Sequence, residues 1–398
     1  MEPIAQKEKI QTKLLQWFKK NGRDLPWRKT RDPYAIWVSE IMLQQTQVAT
    51  VIPYYQKFLK SFPTLRHLAR SDLTGVLKVW EGMGYYSRAR NLHRASQIVL
   101  TRFHGKIPET LKDLLGLPGI GRSTAGSILS FAFHKDAPIL DGNVKRVLSR
   151  LFAVSNTDAP NSLSLRGAKR RSNPCKNEIA APFGLAMTCK GDKLLCIGKP
   201  LRGKTEGLLW QISESLIPKG FSNPFNQALM DLGSMLCTPK DPQCPRCPLH
   251  RFCKGRASGE PERFPTKRLK RSVPHVESVS AVIKKDGKFF LKQRPLKGLL
   301  GGLWEFPNWR IEGKQRSRLR SRLRNTIKKE MEMNVEVKEF IGVFHQTYSH
   351  FKLTLHVFYC QHLNGKGKGK WVPIRNLPLL PMSKIHRRIA QVIDEEMG

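Results

Sequence analysis

The sequence predicts a multidomain protein in which an all-helical domain precedes an α+β domain. Residues 35–150 and 207–236 consist of short amphipathic segments with helical spacing, broken by Pro and Gly. After residues 254–274, which are basic and without period and are predicted to be a linker, apolar and polar residues alternate as in strands. With 398 residues, 40% of them hydrophobic, the chain can form two or three packed cores.

Local periodicity predicts the individual elements. Apolar positions in residues 8–20 have a helical period that ends at Asn21-Gly22. In the second domain, four strands are predicted at 278–283, 289–292, 335–343 and 352–361. Leu319, Leu323 and Ile327 predict a basic amphipathic helix, and Ser383 is expected to precede a final helix.

The formal net charge of +39 is spread along the chain, with +14 in residues 1–154 and +13 in residues 275–398. A field of this extent attracts polyanions, of which nucleic acid is the commonest, and a basic tail would concentrate the charge in one run instead. No apolar run reaches the roughly 18 residues of a membrane span, and the N-terminus lacks a secretory signal.

Residues 155–206 do not fit the helical pattern. They are rich in Ser, Asn, Gly and basic residues and contain Cys175, Cys189 and Cys196, whose spacing matches no standard metal site. We interpret them as an inserted, disordered loop. Because loop closure costs only about 0.6 kcal/mol per doubling of length, deleting 158–203 should leave the fold and activity nearly unchanged.

Four cysteines, Cys237, Cys244, Cys247 and Cys253, lie within 17 residues in the spacing C-x6-C-x2-C-x5-C. Thiolates at such spacing can surround one metal centre, and both zinc and an iron–sulfur cluster accept four of them. Four unbound buried thiols are a poor alternative beside the interleaved Pro and Arg. Spacing by itself leaves zinc and iron–sulfur open.

A glycine-containing turn, with Gly119 and Gly121 on either side of Ile120, joins two helical segments. A helix that begins after such a turn presents free amides that bind a phosphate without reading sequence. The alternative is an ordinary corner between helices. One short segment later comes Asp141, which in isolation would be read as a helix cap.

Together these motifs resemble those of the adenine DNA glycosylases of the MutY kind, within the helix-hairpin-helix superfamily of base-excision glycosylases. The resemblance rests on SEIMLQQTQV at 39–48, GMGYYSRARN at 82–91, DLPWR at 24–28 and FNQALMDLG at 225–233, besides the hairpin, the Asp141 segment and the cysteines. It implies removal of adenine mispaired with 8-oxoguanine or guanine in double-stranded DNA. It also implies a [4Fe-4S] cluster on the four cysteines and a cytoplasmic, nucleoid-associated monomer.

The resemblance assigns the chemistry to two carboxyl groups. Departing adenine must be protonated, and a carboxylic acid can do this when a dry site raises its pKa. By resemblance Glu40 is that acid, whereas ionised Asp141, oriented by Asn143, stabilises the positively charged sugar or captures it. Without the motif, Glu40 would be read as a glutamate of a helix's first turn.

The remaining expected site residues contact DNA or the flipped base. By resemblance Gln45 and Tyr85 are wedges in the base stack. The other residues expected at the DNA or the base are Trp27, Arg28, Thr46, Met83, Gly119, Gly121 and Ser123.

Ser123 separates two functions. Lyase-competent relatives carry a lysine at this position, which forms a Schiff base with the opened sugar, and a serine cannot. We therefore expect a monofunctional glycosylase. The alternatives are a pyrimidine-lesion glycosylase-lyase of the endonuclease III type, and a non-catalytic DNA-binding copy.

Residues 275–398 resemble the C-terminal domain of the same family, which is related to Nudix hydrolases. The segment RSRLRSRLRNTIKKEME lacks the acidic array that a working Nudix helix needs for magnesium. We interpret the domain as a reader of 8-oxoguanine, with Ser349 bonding the lesion and His350 supporting it.

Overall fold

The computed structural model describes residues 6–155, 203–266, 272–311 and 318–397. The chain divides into two compact units, the first built from Met1–Gly22, Pro138–Lys219 and Pro224–Lys267 and the second from Arg23–Ala137, Gly220–Asn223 and Arg268–Gly398. The predicted inserted loop, with its three cysteines, lies outside the described residues except at its ends.

Within the described part of residues 6–266 the regular structure is helical, as predicted. The first predicted helix is confirmed, and Gly22 caps it. The helices are α1 (Lys7–Asn21), α2 (Pro33–Leu43), α3 (Val48–Ser61), α4 (Leu65–Arg70), α5 (Leu73–Val79), α6 (Ser87–Arg102), α7 (Leu111–Leu115), α8 (Arg122–Ala132), α9 (Gly142–Phe152), α10 (Gly203–Leu216), α11 (Ser222–Met235) and α12 (Lys254–Ala257).

Side-chain caps start several of these helices. Asp32, Thr64 and Asp72 each accept an amide of the helix that follows, which satisfies a donor that would otherwise lack an intrahelical partner. In the second unit the helices enclose an aromatic core that includes Trp37 and Trp80. Helix α2 lies in this core with most of its residues buried, so its ends are held in place.

The predicted linker begins as packed chain. Residues 254–257 form α12, and a 3-10 turn follows at Pro261–Arg263. The Nε of Arg150 in α9 donates to the Phe264 carbonyl at 3.0 Å, which ties this segment to the first unit. In the described part of the chain, no helix is long and apolar enough to span a membrane.

The C-terminal part of the second unit contains a mixed sheet with two helices. All four predicted strands and both helices are present, whereas the three shortest strands were not predicted. The elements are β1 (His275–Lys285), β2 (Lys288–Gln293), β3 (Trp304–Glu305), β4 (Asn308–Arg310), α13 (Leu319–Met331), β5 (Met333–Thr347), β6 (Lys352–Gly365), β7 (Lys370–Pro373) and α14 (Lys384–Met397).

The strand order is β3-β2-β1-β6-β5, with β4 paired to β1 and β7 paired to β2. Strands β1 and β6 run parallel, and the other pairs are antiparallel. Since successive strand residues face opposite sides, Val282 packs with α14 and Ile283 packs with α13. The sheet is therefore covered by one helix on each face.

Candidate active site and nucleic-acid interface

Glu40 lies in the second half of α2 and is half-buried. The first-turn interpretation of this glutamate is therefore wrong. Its neighbours Ile41 and Met42 are buried, with exposed fractions of 2% and 0%. The side chain of Glu40 is therefore partly accessible on a helix whose following residues are buried in the core.

The loop after α2 holds a strained residue. Gln45 has a φ of 57°, in the left-handed region that costs a non-glycine residue about 1–3 kcal/mol. It is exposed, and Thr46 beside it donates its hydroxyl to the Gln44 carbonyl at 3.4 Å. Strain of this kind persists only where the surroundings over-determine the backbone, and it concentrates at functional sites.

The loop before α6 is strained in the same way. Tyr85 has a φ of 48° and is 44% exposed, between Gly84 and the buried Tyr86. Met83 is 6% exposed and belongs to the core. Tyr85 is therefore exposed, as a wedge must be. Met83 packs in the core of the second unit.

Arg88 joins the two strained loops. Its Nη1 donates to the carbonyls of Ile41 (3.2 Å), Met42 (2.6 Å) and Gln44 (2.5 Å), and its Nη2 donates to the Gly84 carbonyl (3.3 Å). These carbonyls at the end of α2 would otherwise lack partners. A cation at this end also interacts favourably with the helix dipole.

The Arg88 guanidinium further lies 5.3 Å from the centre of the Tyr85 ring and 5.5 Å from that of Trp80. Burial lowers its pKa to about 10, so it stays charged at neutral pH. One buried cation thus fixes both the backbone and the ring of the predicted wedge.

The glycine-containing turn connects to the same loops. Gly119 has a φ of +83°, and a Cβ there would lie 2.9 Å from the Cβ of Asn91 in α6. The Nε2 of Gln44 donates to the Gly119 carbonyl at 3.4 Å and to the Thr124 hydroxyl at 3.2 Å. Only glycine fits position 119, because the turn is both left-handed and closely packed.

Gly121 differs from Gly119. Its backbone is extended, and a Cβ there would meet nothing within 4 Å. It is the residue before α8. Because glycine has no side chain, it cannot cap the amides in the first turn of this helix, to which Ser123 belongs. This is the arrangement expected for phosphate binding at a helix N-terminus.

Trp27 and Arg28 lie in a short 3-10 turn. Trp27 is 7% exposed and packs edge-on against Tyr55, with ring centres 5.4 Å apart. Arg28 is half-buried and donates to the Arg23 carbonyl at 2.8 Å. The described contacts give both residues a packing role in this structure.

Asp141 belongs to the first unit and begins α9. Its Oδ1 accepts the Val144 amide at 2.7 Å, so the residue is a helix cap. Burial raises its pKa, while the amides of Val144 and Asn143 and the charge of Arg146 act in the opposite direction. A carboxylate in this setting is poorly hydrated, and a nearby developing cation would interact with it strongly.

Asn143 contacts Asp141 through its backbone amide, whereas its Oδ1 accepts from Arg146 Nη2 at 2.7 Å. Arg146 also donates to the carbonyls of Gly233 (2.5 Å) and Cys237 (2.7 Å). The Asp141 turn is therefore connected through α9 to the first cysteine of the predicted metal loop.

The four cysteines follow α11, and each is half-buried. Burial raises the pKa of Cys247 to about 12, with further contributions from Cys237, Cys253 and Cys244. The thiols therefore lie within electrostatic reach of one another. Arg150 donates to the Cys237 sulfur at 3.4 Å and would stabilise its thiolate.

In the described part of the chain, no three His, Cys, Asp or Glu side chains are arranged to hold a single metal ion. The case for a cofactor therefore rests on the donor set. Four thiols that influence one another, beside an arginine, fit an iron–sulfur cluster, in which separate iron atoms each bind a thiolate.

Ser349 and His350 lie exposed in the turn between β5 and β6. The turn is closed by the Tyr348 amide, which donates to the Phe351 carbonyl at 2.9 Å, and the two rings stack with centres 4.7 Å apart. The Ser349 hydroxyl lies 3.2 Å from His350 Nδ1. This segment, residues 348–351, is called the hairpin tip below.

The hairpin tip lies near the strained Tyr85 loop within the second unit. Burial raises the pKa of Tyr86 to about 12, and charges on Glu81, Tyr54 and Tyr348 act in the same direction, so the Tyr86 and Tyr348 phenols lie within electrostatic reach. The Tyr86 hydroxyl donates to the Met382 carbonyl at 3.4 Å. Tyr86 and Tyr348 are the sequence neighbours of the predicted wedge Tyr85 and the predicted reader Ser349, and all four residues belong to the second unit.

Two arginines strengthen this contact. Arg387 of α14 forms a bidentate ion pair with Glu81 (2.8 and 3.2 Å), and Arg90 of α6 donates to the Gly301 carbonyl at 2.8 Å. Both pairs connect the helical part of the second unit to its sheet part. They hold the sheet part against the helical part within the second unit.

Sequence reasoning missed Arg88 and Gln44 as functional residues. Both lie inside the motifs 39–48 and 82–91. Their side chains donate to backbone carbonyls, and a sequence pattern does not reveal such contacts. The available signal was a basic residue among buried helix positions, because a buried arginine needs several acceptors.

Comparison with known proteins identifies the family. Residues 38–170 match the HhH-GPD superfamily base excision DNA repair proteins, and residues 278–392 match the NUDIX domain. An adenine DNA glycosylase of Buchnera aphidicola subsp. Schizaphis graminum (strain Sg) is 32% identical over 389 residues, covering 95% of this chain and 97% of that protein.

The human adenine DNA glycosylase is 31% identical over 411 residues, covering 89% of this chain and 67% of that protein. A solved structure of a thermostable thymine-DNA glycosylase covers 64% of this chain and 97% of its own, at 25% identity and a TM-score of 0.49. With its helical glycosylase core and Nudix-like C-terminal domain, the chain belongs to the adenine DNA glycosylase family of base-excision repair enzymes.

Proposed function

We propose that this enzyme hydrolyses the N-glycosidic bond of adenine mispaired with 8-oxoguanine or guanine in duplex DNA. The observation that carries the proposal is the pair of strained, exposed residues Gln45 and Tyr85, in loops that Arg88 joins. Extruding a base costs a few kcal/mol, and rigid side chains that fill the gap offset that cost. The hairpin tip, which belongs to the same unit, is proposed to read the base that remains opposite the extruded adenine.

Glu40 is proposed as the general acid that protonates departing adenine. Glu40 is half-buried, and DNA that covers the site would exclude water from it, which favours the protonated form of a carboxylic acid. General acid catalysis contributes roughly 10²–10⁴ in rate. The remaining acceleration must come from stabilising the positive charge on the sugar.

Asp141 is proposed to supply that stabilisation. One of its oxygens is held by the Val144 amide, which fixes the carboxylate in place before the reaction. A preorganised charge in a poorly hydrated site interacts with a developing cation more strongly than a charge in water does. Asn143 is a positioning residue, because its amide contacts Asp141 while Arg146 holds its side chain.

Cys237, Cys244, Cys247 and Cys253 are proposed to hold a [4Fe-4S] cluster. When bound, such a cluster cross-links its loop and can exchange electrons. The residues of this chain hold the loop on α9 through Arg146 and Arg150. The loop is thereby connected to the helix that Asp141 begins.

The enzyme is proposed to be monofunctional and to act as a monomer. Ser123 lies in the first turn of α8, where the lyases of the superfamily carry their lysine. A hydroxyl cannot form the imine through which such lyases cleave the strand. We further propose that residues 1–253 form the glycosylase domain and residues 275–398 the reader domain, with residues 254–274 as the linker.

A single-turnover assay tests the proposal. Duplexes carry adenine opposite 8-oxoguanine, adenine opposite guanine, or a thymine glycol opposite adenine. We expect excision of adenine from the first two, loss of that excision in Glu40→Gln, and no covalent adduct after borohydride treatment. Excision of the oxidised pyrimidine with a trapped adduct would show an endonuclease III-type lyase instead.

A further inference from the structure

The C-terminal domain contains a basic groove away from the hairpin tip. It has a volume of about 690 Å³ and lies between α13 and the ends of β5 and β6. Arg320, Arg324 and Lys328 line one wall, at intervals of four residues along α13. Such intervals place the three cations on one face, about 6 Å apart along the helix axis.

These cations are exposed because of how α13 packs. Leu323 and Ile327 are fully buried against the sheet, so the stripe next to them in helical rotation lines the groove. Packing of the helix would be satisfied by any polar residues on this stripe. Three cations there are more than the fold requires.

The opposite wall adds polar groups and one acidic residue. Asn334 Nδ2 donates to Asn364 Oδ1 at 2.6 Å across the strand ends. Glu336 also lines the groove, and Lys338 pairs with it at 3.5 Å. Among the described residues, no ion pair engages Arg320, Arg324 or Lys328, so the groove keeps a positive excess.

The groove and the hairpin tip lie at opposite ends of the β5–β6 pair. Glu336 pairs with Gln361 at the groove end, and Thr347 pairs with Lys352 at the tip. At about 3.4 Å per residue, the 9 to 11 residues between these pairs span roughly 30–37 Å. One turn of duplex DNA has a similar length, about 34–36 Å.

We infer that this groove is a second DNA-binding site, which holds the phosphate backbone about one helical turn from the lesion. Duplex DNA is favoured over an acidic protein because the separation matches the duplex repeat and the cations form a linear stripe. The inference rests on the proposed function for the placement of DNA at the hairpin tip. The site would add affinity without reading sequence.

The test compares a 13-base-pair and a 41-base-pair duplex, each with a central adenine opposite 8-oxoguanine. The groove variant carries Arg320→Gln, Arg324→Gln and Lys328→Gln. The control variant carries Lys285→Gln, Lys288→Gln and Lys292→Gln, which removes the same charge from exposed positions of β1 and β2. Binding is measured between 50 and 200 mM salt, and excision is measured on the short duplex.

On the long duplex, the groove variant should bind at least about tenfold more weakly, with a salt slope smaller by about 2–3 for three lost phosphate contacts. On the short duplex, all three proteins should bind and excise alike. Arg320→Lys with Arg324→Lys should keep long-duplex binding, because it keeps the charge.

Equal binding of the long duplex by the groove and control variants would overturn the inference. So would a groove variant that matches the parent on the long duplex, which is the result expected if an acidic protein occupies the groove. If the parent enzyme itself did not excise adenine from the short duplex, the proposed function would be wrong, whatever the groove does.

Discussion

Replacing Arg88 by methionine should both destabilise the enzyme and slow base excision. The change keeps an unbranched apolar stem but removes every donor to the carbonyls of Met42, Gln44 and Gly84. A hydrogen bond from a charged donor contributes about 1.5–3 kcal/mol, and the bonds to Met42 and Gln44 are the shortest. Allowing for water that enters, we expect the free energy of unfolding to fall by about 3–5 kcal/mol, a large part of the 5–15 kcal/mol typical of domains.

The catalytic effect follows from the strained loops. Without Arg88, the carbonyls of Gln44 and Gly84, which directly precede the strained Gln45 and Tyr85, lose their charged donor, and the Tyr85 ring loses its cation. A displacement of about 1 Å near a reacting centre can cost on the order of 10² in rate. Single-turnover excision of adenine opposite 8-oxoguanine should therefore slow by about that factor at a temperature where the variant is folded.

Two variants control this experiment. Arg94 lies in the same helix α6 and is exposed, so Arg94→Met should change stability by no more than about 0.5 kcal/mol and leave the rate unchanged. Arg88→Lys keeps the charge, but its single ammonium cannot reach both loops, so an intermediate loss is expected. If folded Arg88→Met excised adenine at the parent rate, Arg88 would not position the wedge.

Three further changes test other parts of the site. Gly119→Ala should lower the unfolding free energy by at least about 1–2 kcal/mol, because it adds a Cβ 2.9 Å from Asn91 at a left-handed φ; gel-shift titrations should show weaker binding to matched and mismatched duplexes alike. Asp141→Asn keeps a good cap and the fold but should abolish excision. Because burial raises the pKa of Asp141, the ionised form costs stability, so denaturant titrations should show the Asn variant gaining on the parent as pH rises above 3.8 and levelling off above the raised pKa. Ser349→Ala should reduce the preference for adenine opposite 8-oxoguanine over adenine opposite guanine, and equal losses on both substrates would argue against a reader role.

The sequence predicted those features that depend on neighbouring residues. Periodicity located α13, which buries Leu323, Ile327 and Met331 on one stripe, and it located β5 and β6, although β5 is largely exposed in its middle and β6 buries adjacent residues. It missed β3 (Trp304–Glu305) and β7 (Lys370–Pro373), since two to four residues are too few to show alternation and these strands exist only through pairing with β2. The sequence also predicted residues 254–274 to be a linker without structure. The four-residue helix α12 at its start is too short to show a period, and it packs against α9.

Some features of the candidate site were also predicted from the sequence, and others were not. Asp141 is both the predicted cap and the predicted catalytic carboxylate, and the two roles use different properties of one side chain. The first-turn interpretation of Glu40 overlooked a start signal in the sequence, because the Asp32 cap and Pro33 begin α2 seven residues before Glu40. The left-handed φ at Gln45 and Tyr85 was not predicted from the sequence, and neither were the bonds from Arg88 to the preceding carbonyls of Gln44 and Gly84.

The net charge of +39 combines two kinds of cation with different consequences. Arg88, Arg146 and Arg150 bind backbone carbonyls and are buried or half-buried, so they hold loops together and contribute little to phosphate contacts. Exposed stripes such as the one on α13 remain free to meet DNA. The dependence of DNA affinity on salt counts phosphate contacts and not total charge. Its slope should therefore correspond to far fewer than 39 charges. Neutralising a buried arginine should alter folding and rate but leave that slope nearly unchanged.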